Sequence, residues 1–146
     1  MADETVNFGY KFNDEVAASD AAFEIKAANL NDLFNYAGRA LFEIMCGSDD
    51  VTSNEKRQIE LEADSLEDLL YRYLSELLFL RDTEDIMFSE FETTIRNNFK
   101  LKAEVGGDTI GNLKEPPKTD IKAITYYKFK VEKRGYGYFA FVVVDL

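Results

Sequence analysis

The stretch whose reading decides the fold is Thr119–Leu146, TDIKAITYYKFKVEKRGYGYFAFVVVDL. Two runs rich in β-branched and aromatic residues flank Gly135-Tyr136-Gly137, the sequence form of a β-hairpin. The second run, Tyr138 to Val144, is apolar at every position, so alternation is lost and both of its faces should be covered. It is expected to be a central strand. It ends in Asp145 and Leu146, which sets a side-chain carboxylate and the α-carboxylate side by side at the end of the most buried strand. Negative charge gathered there calls for a cation.

Upstream, Phe23, Ile25 and Ala27 alternate with Glu24, Lys26 and Ala28, which predicts a half-exposed strand over about 21–28. Asn29 offers an N-cap to a helix carrying Leu30, Leu33, Phe34, Ala37, Ala40, Leu41 and Ile44 at helical spacing, with Gly47 as its C′ residue. The pattern recurs 36 positions later: Ile59, Leu61 and Ala63 alternate, Ser65 takes the place of Asn29, and Leu66, Asp68, Leu69 and Leu77 repeat the helix. Ser65-x-x-Asp68 is a variant of the capping box. Two such strand-helix units have apolar faces to bury, and a shared sheet would bury them.

Further strands are expected at about 87–96 and 100–105, the latter breaking at a Gly106-Gly107 turn, and again at 121–131. Ser48–Lys56 reads as a polar turn, and Gly111–Lys118, with Pro116-Pro117, as a surface loop. The sum is an α+β domain: six strands and two helices, duplicated strand-helix units on a mostly antiparallel sheet core closed by a C-terminal hairpin. One domain over residues 1–146 suffices for the 146-residue chain, with about 1–15 expected to be a flexible lead-in.

Composition narrows the chemistry. Seventeen basic against 28 acidic residues give a net charge of −11, which opposes binding to nucleic-acid phosphates. There is no histidine, so Ser-His-Asp and Cys-His catalysis and His-ligated metals are excluded, and any metal must be held by oxygen. The single cysteine, Cys46, fits a reducing compartment, and neither a signal peptide nor an apolar run long enough to span a bilayer is visible. A cytoplasmic protein is expected.

Several local patterns have ordinary readings. Arg134–Phe141 nearly spells the RNP1 motif of RNA-recognition domains, whose aromatics stack bases, but the helix and strand that should follow are missing. Asp49-Asp50 and Asp82-x-Glu84-Asp85 lack calcium-loop spacing, and Gly106-Gly107-Asp108 lacks the lysine and helix of a phosphate loop. Lys122 is an odd choice inside a strand. With an even hairpin loop it falls on the face of Asp145, opposite it or one diagonal step away, either as an ion pair or as a lysine poised beside a metal to meet a phosphate. Asp20 on its own is a turn former before the first strand, and spacing does not bring it to Asp145.

Asp20 before a strand, the repeated units with Leu66-Glu67-Asp68-Leu69-Leu70, Phe79-Leu80, Ile121–Tyr126 and the ending Val144-Asp145-Leu146 together resemble the archease family, the accessory proteins of the GTP-dependent tRNA-splicing RNA ligase. The likeness covers most of the chain. It implies a metal site of Asp20, Asp145 and main-chain oxygen from Leu146, with Lys122 as the functional lysine. Oxygen ligands suit Ca²⁺ or Mg²⁺. Where the family usually has His-x-Ala-Asp this chain reads Ala17-Ala18-Ser19-Asp20, and Tyr127 stands where a histidine usually follows Thr-Tyr. The resemblance further implies a non-enzymatic factor that helps the ligase become guanylylated by GTP and turn over, with GTP at the shared site and no direct RNA binding. The rival from the residues alone is a metal-dependent hydrolase or transferase acting on a phosphorylated small molecule, with Asp20 or Asp145 as base.

Overall fold

A computed structural model describes residues 6–14, 19–47, 51–97 and 99–146. Its axis is the uniformly apolar run, which forms strand β8 (Gly137–Asp145), with Ala140, Val142, Val143 and Val144 buried. β8 lies between β2 (Asp20–Ala27) on one side and β6 (Ala123–Ile124) and β7 (Lys130–Arg134) on the other. Gly137 has φ +143°, and a Cβ there would run into the backbone of Ala27 and Ala28, so the hairpin closes tightly only with glycine at this point.

β1 (Gly9–Asn13) completes the five-stranded sheet by pairing with β2. Gly9–Asn13, within the expected flexible lead-in of about 1–15, is thus a strand, while residues 1–5 and 15 lie outside the described residues. Phe8, Tyr10 and Phe12 alternate, and Phe12 lies edge-on to Phe23 at 6.4 Å, so a strand gains apolar contact that coil would forgo. The expected single strand 121–131 is also corrected. It is interrupted between β6 and β7, where Phe129 N–H bonds Tyr126 O at 3.2 Å and Lys128 adopts φ +55°. The detour stacks Tyr126 on Tyr71, with ring centroids 4.0 Å apart. No Gly, Pro, Asn or Asp marks that turn.

The two strand-helix units form as predicted. Asn29 Oδ1 accepts from Asp32 N–H at 2.9 Å to start α1 (Leu30–Met45), and Ser65 Oγ accepts from Asp68 N–H at 3.1 Å to start α2 (Leu66–Glu84). Gly47 is not a left-handed cap, because α1 ends on Cys46 in extended conformation with φ −158°. The units do not share a sheet. β2 belongs to the five-stranded sheet, whereas β3 (Glu55–Glu62), which begins inside the expected polar turn, forms a second one in the order β3-β5-β4 with β5 (Lys100–Thr109) and β4 (Ile86–Arg96).

Every strand pairing is antiparallel. With eight strands and two α-helices among the described residues, the fold is α+β. α1 and α2 touch each other and strands of both sheets, which gives one continuous apolar core. Nor do Gly106 and Gly107 end β5. They face a bulge at Ser89, where the register steps from Phe88 to Glu90, and a Cβ on Gly107 would collide with the Met87 carbonyl.

Candidate functional site: the Asp20–Asp145 edge

The β2–β8 register puts Asp20 directly opposite Asp145. Leu146 N–H donates to Ser19 O at 2.9 Å, which makes Ser19–Leu146 the hydrogen-bonded pair and Asp20–Asp145 the neighbouring non-hydrogen-bonded one. On its other side, Asp145 O accepts from Lys122 N–H at 2.8 Å, as a residue whose polar backbone turns away from β2 must. Facing side chains approach most closely in non-hydrogen-bonded pairs. Two carboxylates are therefore held close together, on the face of the sheet opposite Phe23, Ile25 and Ala27.

Both aspartates are half-buried, and among the described residues neither carboxylate has a basic partner or a hydrogen-bond donor. Like charges set directly across a ladder destabilise it, so this pair costs stability unless something neutralises it. The residue across from Asp145 on the other strand is Ala123, whose methyl group supplies no donor and leaves the edge open. An all-oxygen pair of this kind fits a hard divalent cation. Among the described residues no three His, Cys, Asp or Glu side chains gather in one place, and Leu146 is an adjacent source of main-chain oxygen.

Lys122 is exposed, and the register corrects its expected place: Ala123 is the residue opposite Asp145, so Lys122 is one residue off and neither faces Asp145 nor stands one diagonal step from it. It does not form the ion pair that the sequence allowed, since among the described residues its ammonium group has no carboxylate within 4 Å. What ties it to the site is its backbone. Tyr127, on the same connection, is 63% exposed, and Ala17 and Asp49-Asp50 lie outside the described residues.

Sequence reasoning missed Arg81. Read as part of an exit loop, it is in fact in the last turn of α2, with a side chain only 8% exposed. Its Nη1 meets Asp120 Oδ1 at 2.7 Å and its Nη2 donates to Ile121 O at 3.1 Å, the two residues before Lys122. A signal was present: position 81 continues the buried stripe of Leu70, Leu74, Leu77 and Leu78, where a cation is out of place.

Two aromatics of the Arg134–Phe141 stretch are engaged within the fold. Tyr138 pairs with Ala27 and packs against the core, while Phe139 is covered by the Arg134 guanidinium at 4.5 Å. Asp108, at the end of β5, is buried and fully engaged. Asn112 Nδ2, Thr109 N–H, Thr52 Oγ1 and Asn54 Nδ2 all donate to it and hold its carboxyl below the usual carboxylate range, which marks a structural lock.

A sequence model of the Archease protein family matches residues 10–146, a span that contains Asp20, Lys122, Asp145 and Leu146. The chain belongs to the archease family. Protein archease of Archaeoglobus fulgidus is 36% identical over 143 residues, covering 94% of this chain and 98% of that one. The solution structure of Methanobacterium thermoautotrophicum Protein 1598 superposes with a TM-score of 0.78 at 30% identity, over 94% of this chain and 99% of that one. A Thermotoga maritima archease described as a possible chaperone has the same fold, with a TM-score of 0.64 at 20% identity over 89% and 93% of the two chains. The archease fold is thus the frame that holds the two facing carboxylates. No helix among the described residues is long and apolar enough to cross a membrane.

Proposed function

We propose that this protein is a non-enzymatic accessory factor in tRNA splicing, cytoplasmic, which promotes guanylylation and repeated turnover of the GTP-dependent RNA ligase. The observation that carries the reading is the unneutralised cross-strand pair Asp20–Asp145. Those two carboxylates, with main-chain oxygen of Leu146, would hold a calcium or magnesium ion, and the bound ion would supply charge neutralisation for phosphate. Lys122, exposed and bound through its backbone N–H to Asp145 O, would add an ammonium group suited to a GTP phosphate at the shared site. The rest of the fold keeps this edge rigid, so that the factor presents a fixed pattern of charge to its partner.

A description of a relative as a possible chaperone accords with a role exercised on another protein. The test is single-turnover guanylylation of a partner ligase with and without this protein. Stimulation is expected, and it should fall sharply in Asp20→Ala, Lys122→Ala and Asp145→Ala. Stimulation that survives all three substitutions, or is absent from the start, overturns the proposal. Nucleotide turnover by the purified protein without ligase would instead favour the stand-alone hydrolase or transferase.

A further inference from the structure

We infer that Arg81 and Asp120 are positioning residues for the Asp20–Asp145 edge, holding the backbone that carries Lys122 against β8. The inference builds on the function proposed above. A guanidinium withdrawn almost wholly from water is a costly way to finish a helix unless its donors are used. Here they are divided: Nη1 lies 2.7 Å from Met45 Sδ of α1, Nε donates to Asp82 at 3.0 Å, and the remaining contacts go to the chain before Lys122. Besides its neighbour Asp82, met at 2.6 Å, Arg81 reaches Asp120 Oδ1 at 2.7 Å and Ile121 O at 3.1 Å. The next peptide N–H, that of Lys122, donates to Asp145 O at 2.8 Å. A continuous chain of contacts therefore runs from the end of α2 to the residue whose side chain faces Asp20.

Two other anchors hold this stretch, the Lys118 N–H donating to Met45 O at 2.9 Å and the buried side chain of Ile121, and between them Arg81 grips Asp120 and the Ile121 carbonyl. β6 is two residues long, and the segment before it lines a cleft of about 450 Å³ with Arg81, Met87 and Ile110. Asp120 is itself 78% exposed, a residue whose carboxylate is used while its body is in water. Ile121 is buried and Lys122 exposed, so the Arg81 bonds sit where the chain crosses from core to surface. Losing them should free the Lys122 amide from Asp145 without disturbing the ladder between β2 and β8.

Because Asp120 is exposed, Asp120→Asn should fold, and Arg81→Lys keeps the charge but not the fork that reaches two acceptors. Native-state hydrogen exchange reads the contact directly. In Asp120→Asn the Lys122 amide should exchange about tenfold faster, the equivalent of one charge-assisted hydrogen bond, while the Val142 and Val144 amides stay as in wild type. Arg81→Lys should fall between the two. In the guanylylation assay Asp120→Asn should lower stimulation, yet add nothing when Lys122 is already alanine. Unchanged Lys122 exchange, or equal acceleration of the Lys122, Val142 and Val144 amides, overturns the inference. So does an additive loss in the double variant. The exchange measurement needs neither ligase nor cation, so a wild-type protein that fails to stimulate the ligase counts against the proposed function and leaves exchange to decide this one.

Discussion

Replacing Asp145 by asparagine should make the cation-free protein more stable than wild type and the cation-loaded protein less stable. Facing side chains of a non-hydrogen-bonded pair stand about 5 Å apart, for which two unit charges repel by roughly 0.8 kcal/mol in water and about 3 kcal/mol at an effective dielectric of about 20. Asp20 and Asp145 are half-buried, so the lower part of that range applies and relief of repulsion should contribute about 1 kcal/mol. With a divalent ion at a hundred times its dissociation constant, wild type gains about 2.7 kcal/mol. One remaining carboxylate binds far more weakly, so Asp145→Asn should end roughly 1.5 to 2 kcal/mol behind wild type in saturating cation. Urea denaturation followed by far-ultraviolet circular dichroism, once in chelator and once in excess CaCl₂ or MgCl₂, reads both signs. Asp20→Asn should behave in the same way. A lower urea midpoint for the variants in chelator, or a wild-type midpoint indifferent to cation, refutes the reasoning.

Three other outcomes are expected. Gly107→Ala should cost roughly 1 to 3 kcal/mol in urea denaturation, because its Cβ meets the Met87 carbonyl and backbone must shift. Burial, reinforced by a hydrogen bond to Glu43, pushes the Tyr10 hydroxyl up to about 12 from an ordinary 10.0. The folded state thus binds that proton more tightly, so the contribution is whole below pH 10 and is lost as pH rises towards about 12; Tyr10→Phe should flatten the stability profile in that window. Asp108 is displaced the opposite way, so its contribution is present above the ordinary carboxylate range and fades as pH falls through and below it. In Asp108→Asn an amide donor faces four donors, which should lower the midpoint at pH 7 and leave less acid dependence, as urea titrations from pH 7 to pH 3 would show.

Periodicity made much of the frame legible. The run Tyr138–Val144 marked the central strand, and Asn29 and Ser65 marked both helix starts, because these are local rules that neighbours in sequence enforce. Pairing between strands is not local. Alternation at Phe23, Ile25 and Ala27 fixes which face of β2 is buried but not that β8 is its partner, so Asp20 met Asp145 only through the family resemblance and then through the observed register. Two glycines looked like a turn because backbone permissiveness serves a bulge as readily as a bend. Sheet membership of the repeated units was equally hidden, since both sheets ask the same alternating pattern of a strand. Arg81 was passed over because a charge beside Asp82 and Glu84 resembles a solvated helix end, while its place on the Leu74–Leu77 stripe pointed inward.

The ladder that brings Asp20 to face Asp145 joins positions 125 apart in the sequence. Closing so long a loop exacts an entropic toll before any contact repays it, and contacts of this separation are among the slowest to form in a small domain. If the pair holds an ion as proposed, that ability would depend on this long-range pairing, and a chain that has not formed it offers two isolated aspartates of weak affinity. On the proposed function the edge would then act as its own proof of assembly, since only a molecule with β2 and β8 paired could take part in what the pair does.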